Sequence, residues 1–83
     1  MEQTLTEIAN LIQTRNHPEI NFAGYKQTKQ QVMAMCQGDA YLESKVTRTF
    51  AEVEKRGLPI TPQTNPAYIR LHLEKIKQGL LLS

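Results

Sequence analysis

Apolar residues recur along this chain at spacings of three and four, and polar segments holding glycine or proline interrupt the recurrence three times. Leu5, Ile8, Leu11 and Ile12 form the first stripe, with Ala9 at its edge. Thr4 and Glu7 are spaced as a capping box, in which each side chain reaches the other residue's backbone amide. The pattern predicts a helix from Thr4 to Arg15. Asn16-His17-Pro18 ends it, because a residue before proline avoids the helical region. Residues 16–24 read as a connector, where Ile20 and Phe22 alternate with polar neighbours as in a short extended piece. A second helix is predicted from Gly24 or Tyr25 to about Gln37, with Tyr25, Thr28, Val32, Met35 and Cys36 on one face. Gly38 is its stop, and Asp39 is placed to cap the next helix at once. The corner is tight, as in a helix-turn-helix.

Leu42, Val46, Phe50 and Val53 share the apolar face of a third helix, which Gly57 ends. Its polar face carries Ser44, Lys45, Arg48, Lys55 and Arg56. The next stretch, LPITPQTNPA, has three prolines and cannot be helix interior. Beyond it, Asn65 and Pro66 suit the cap and first turn of a fourth helix, and Ile69, Leu73, Ile76 and Leu80 fit its buried stripe. The same segment also alternates, with Ile69, Leu71 and Leu73 between Arg70 and His72. Read that way, it is a strand pairing with residues 58–61 across a PQTNPA tip, the wing of a winged helix. Its Leu, Lys, Gln and Glu content favours the helix. The expected fold is mainly α: a small three- to four-helix domain, residues 1–83, with a helix-turn-helix-like core and a short β wing after Gly57 as the open alternative.

The segment SKVTRTFAEVEKRGL, residues 44–58, resembles the recognition helix of MarR-type winged-helix regulators, where Ser-x-Val-Thr-Arg leads to Glu-Lys-Arg-Gly-Leu. The resemblance implies duplex DNA as partner, with Ser44, Lys45, Thr47 and Arg48 in direct contact and Lys55 and Arg56 near the backbone. Arginine or lysine there would donate to guanine O6 and N7. The joint QGDAYLE is longer than that family's usual turn, and the PQTNPA tip has no cation.

Charge changes this picture little. The chain has 10 Lys and Arg against 8 Asp and Glu, a net +2. The surplus lies in residues 43–83, which is compatible with phosphate contact but is no basic stripe. A single cysteine, Cys36, forms no internal disulfide and suits a reducing compartment. With no apolar leader at the N-terminus, the expectation is a cytoplasmic protein.

Candidate chemistry is sparse. His17, His72 and one cysteine match no metal-site spacing, so a structural role is expected of both histidines. Cys36 near a helix C-terminus is expected as a buried, inert thiol. Met33 and Met35 point to different faces, one to the core and the other to a partner surface. The glycines are isolated, with no phosphate loop, and no serine has a suggestive histidine. Leu80, Leu81 and Leu82 would be costly to expose together, so they either fold back on the core or cover a neighbouring subunit, and a homodimer contact is the favoured reading. The leading expectation is a non-enzymatic, nucleic-acid-binding regulator without cofactor. The alternative is a small helical adaptor or inhibitor that binds another protein through an apolar surface, with Tyr41 or Tyr68 as aromatic anchors.

Overall fold

The computed structural model describes residues 2–82, with side chains from Thr4 onward. Four helices follow one another: α1 (Glu2–Arg15), α2 (Phe22–Met35), α3 (Ala40–Arg56) and α4 (Pro66–Leu81). They pack as a ring, α1 on α2 and α4, and α3 on α2 and α4. The broadest seams are those of α4, and the α2–α3 seam is the thinnest.

The predicted stripes supply the core. Ile8 and Ile12 meet Val32, Cys36, Leu42, Val46, Phe50, Ile69, Leu73, Ile76 and Leu80, all at most 1% exposed. Each such side chain contributes about 1.5–3 kcal/mol of transfer free energy when fully buried. Cys36 is buried, and its thiol donates to the Val32 carbonyl at 3.2 Å. Burial first, then the nearby carboxylates of Glu43 and Asp39, raise the Cys36 pKa and keep it protonated.

Local chemistry sets the helix ends, and it corrects two expectations. Helix α1 already begins at Glu2, so Thr4 lies inside it and does not cap it. Glu2 and Gln3 are good helix formers and extend the stripe's helix backwards. The connector is a turn, without an extended piece: the Ile20 amide donates to the His17 carbonyl at 3.0 Å. The Asn21 side chain accepts from the Gly24 amide at 2.8 Å and starts α2 at Phe22. At the next corner Gly38 has φ +90°, the left-handed conformation that L side chains avoid. The Asp39 carboxylate accepts from the Leu42 amide at 3.0 Å, the expected cap of α3.

The tail is helix. No strand occurs among the described residues, so the wing is absent. The Asn65 side chain accepts from Ala67 at 2.8 Å, and Pro66 opens α4. The backbone a wing would need is spent elsewhere. The Leu58 amide donates to Tyr68 Oη at 2.6 Å, and Thr61 and Thr64 close a turn on each other.

Two further expectations change. Leu80 is fully buried in this chain's own core and is no interface residue, whereas Leu81 and Leu82 are 56% and 82% exposed. Met33 and Met35 are both half-buried against the core, so neither stands out toward a partner.

Candidate functional site

Helix α3 carries two flanks and an outer ridge, because residues three and four apart align along a helix. The flank toward α2 is closed by a polar tie. Tyr25 Oη donates to Glu54 Oε2 at 2.7 Å, and Lys29 Nζ reaches the same oxygen at 2.9 Å. Lys29 Nζ also lies 5.6 Å from the centroid of the Phe50 ring. His72 of α4 completes the tie, its Nε2 3.1 Å from Tyr25 Oη and its ring edge-on to the tyrosine at 5.2 Å. The phenol has one proton and gives it to Glu54, so His72 Nε2 donates to Tyr25, which leaves Nδ1 unprotonated in the neutral ring.

The tie shifts its own ionisations. Burial, then the hydrogen bond and charge of Glu54, push the Tyr25 phenol far above its ordinary value. Burial raises the Glu54 carboxyl, but hydrogen bonds from Tyr25 and Lys29 outweigh it and hold the group below its ordinary value. Burial lowers the His72 pKa and keeps the ring neutral, against the opposing pull of Glu54. These groups satisfy one another and hold three helices together.

The flank toward α4 stays open. A groove of about 400 Å³ runs over the α3–α4 seam. Two glycines bound it. At one end the Tyr68 hydroxyl lies against Gly57, where a Cβ would collide with it. Gly57 is extended (φ −112°), so the constraint there is space and not backbone conformation. At the other end Gly79 lets α4 approach Thr49, whose Cγ2 would be 3.0 Å from an added Cβ. The two contacts are about 12 Å apart along α3, two turns of helix. Val53, Tyr68, Leu71 and Leu82 supply apolar lining, His72 lies in the wall, and Glu52, Arg56 and Lys75 bring charge. Leu71 is 50% exposed at the edge, and Leu58, 70% exposed, continues the apolar strip past Gly57. Neither Arg56 nor Lys75 has an ion-pair partner among the described residues.

The structure separates the six residues read as a nucleic-acid surface. Ser44, Arg48 and Lys55 are exposed along the outer ridge, with Tyr41 and Ala51, and Thr47 is exposed at its α2 edge. Lys45 is only 7% exposed, turned to the α4 side on the stripe that continues through Thr49 and Glu52. Arg56 ends that stripe in the groove. A stretch contiguous in sequence is thus split over two surfaces by the 100° step of the helix. No pattern in the sequence marks Tyr25, Glu54, Leu71 or Lys75 as site residues. Leu71 was concealed by its alternation with Ile69 and Leu73, and nothing local reveals that Tyr25 and His72 meet across the ring.

Among the described residues no helix is long and apolar enough to cross a membrane. No protein-family model, curated protein or solved structure matches this chain.

Proposed function

We propose that this chain is a non-catalytic interaction module that docks protein through its α3–α4 face. The observation that carries this is the groove, with partly exposed leucines along its margin. A small ligand filling 400 Å³ would leave Leu58 in water, whereas an apposed helix would cover it together with Leu71 and Leu82. The titratable cluster beside the groove is internally paired and offers no free nucleophile. The test is a selection from a displayed library of amphipathic helical peptides about 15 residues long, counter-selected on Leu71→Asp/Leu82→Asp protein. Binders that shift the backbone resonances of α3 and α4 support the reading. Binders confined to other faces, or none, would sink it.

A second reading rests on the outer ridge of α3. Ser44, Arg48 and Lys55 align there, exposed, with Glu43 at the N-terminal edge beside Ser44 and Thr47, while Glu52 faces the groove and Glu54 is held by Tyr25 and Lys29. In this reading α2 and α3 act as a helix-turn-helix unit on duplex DNA. Each cation that meets a phosphate adds about 0.9 to the slope of log affinity against log salt. Arg48→Ala should lower that slope, and absence of salt-dependent binding by the wild type would end this reading.

A further inference from the structure

Helix α4 has a second stripe besides its buried one. Tyr68, Leu71, Lys75, Gln78 and Leu82 follow one another at spacings of three, four, three and four. That is the a/d spacing of a coiled-coil seam. All five line the groove, and Leu71 and Leu82 stand out at 50% and 82% exposure. The stripe is a row of knobs, and the groove beside it is the hole such knobs require. Both lie on one face of one chain, which is the condition for an isologous contact.

We propose that the occupant of the groove is a second copy of this chain, paired α4 to α4 in antiparallel fashion about a two-fold axis. This rests on the docking reading of the same face. With the axis between Lys75 and Gln78, the register is set by sequence. Leu71 meets Leu82 of the second copy at both ends, and Lys75 meets Gln78 in the two middle layers. The face carries one carboxylate, Glu52, against two cations, Arg56 and Lys75, and one opposite pair can form across the axis. Glu52 and Lys75 flank the same groove on opposite helices without pairing in one chain. Across the axis, Lys75 comes within a helical turn of Glu52 of the second copy. Two apolar layers enclosing two polar ones give a contact that fixes one register, because slipping by a turn would set Lys75 against leucine. The pairing leaves the outer ridge of α3 uncovered on both copies.

Sedimentation equilibrium of the full chain tests this. The wild type is expected to associate as a dimer, and Leu82→Asp, whose site is exposed and outside the core, to weaken the dimer by roughly tenfold or more with unchanged helicity. Lys75→Glu alone and Glu52→Lys alone should each weaken self-association, since each brings like charges together. Mixing the two variants should restore a dimer, now of one copy of each. A wild type that remains monomeric at about 1 mM would overturn the proposal. So would a dimer indifferent to Leu82→Asp, or a mixture that fails to recover. A monomer whose groove still takes selected helical peptides would overturn self-pairing alone and leave the docking reading standing. A monomer with a groove that takes none would remove both.

Discussion

The two flanks of α3 are made by the same helix and end differently. Toward α2, Glu54 is held by Tyr25 and Lys29, and the seam is closed by hydrogen bonds that need the neighbouring helix in one position. Toward α4, Gly57 makes room for the Tyr68 hydroxyl and Gly79 for the Thr49 methyl, and the side chains between them leave a groove. Directional polar contacts lock the thinnest of the four seams. Side chains seated on glycines hold a seam by packing at its ends and leave apolar surface uncovered over it. The first arrangement gives a structural joint and the second a surface that can accept another helix.

The two flanks share a floor. Phe50 is 1% exposed beneath both. Phe50→Ala should cost about 3–5 kcal/mol in chemical denaturation. That is a large part of the stability of so small a domain. A loss below about 1 kcal/mol would mean the two flanks are supported independently.

The closed flank has a sharper test. Tyr25→Phe keeps the ring but removes the hydroxyl that joins Glu54 to His72. The expected cost is about 1–3 kcal/mol, because His72 loses its partner inside the protein. Lys29 retains Glu54, but that pair is partly exposed and screened by water, so it should compensate little. Equal stability of Tyr25→Phe and wild type in urea titration would show that the joint is held by packing alone.

The open flank should respond less. Gly57→Ala pushes a methyl toward Tyr68 Oη and forces the ring to swing, which breaks its hydrogen bond from the Leu58 amide. About 0.5–1.5 kcal/mol should be lost. The change should appear as resonance shifts at the Tyr68 end of the groove, while those of Tyr25 and Glu54 stay in place. Shifts spreading across α2 would show that the two flanks are coupled.

The smallest effect is one of pH. His72 binds its proton less readily in the fold than its ordinary value of 6.5 allows, mainly through burial. Below about pH 6.5 the unfolded chain therefore takes up more protons than the folded one, and stability falls with falling pH until folded His72 is protonated too. Glu54, held below its ordinary 4.5, adds a second loss as pH drops through its folded value. At the alkaline end Tyr25 works in the opposite direction, costing stability above about pH 10 as the unfolded phenol ionises first. Urea midpoints should decline between about pH 7 and 5 in the wild type and stay flatter in His72→Gln. Parallel curves for the two proteins would place His72 outside the joint.

Much of the fold was legible in the chain. The stripes Ile8/Ile12, Leu42/Val46/Phe50 and Ile69/Leu73/Ile76/Leu80 are the core, Asp39 and Asn65 are the caps, and Gly38 is the corner. These are local properties. A 3.6-residue period, a side chain that accepts from an amide two or three residues on, and a left-handed glycine all act within one or two turns. The ambiguous tail could not be settled that way, since Ile69, Leu71 and Leu73 satisfy two periods at once. Tertiary contact decided it: Tyr68 takes the Leu58 amide that a wing strand would need.

What only the tertiary structure determined is which polar residues meet and which surface remains open. Tyr25, Glu54 and His72 come from three helices and from positions 29 and 47 apart relative to Tyr25. No local spacing encodes such a meeting, because it depends on how the ring of helices closes. The helical step divided residues 44–56 over two sides, and the same closure decided what each side faces. It buried Lys45, turned Arg56 into the groove and left Ser44, Arg48 and Lys55 on the ridge. Short-range stereochemistry and hydrophobic period were enough for the first three helices, the caps Asp39 and Asn65 and the buried stripes, but not for the starts of α1 and α2 or for the choice between helix and strand in the tail. The third dimension alone decided the polar joint and the groove, because both are properties of the spaces between helices.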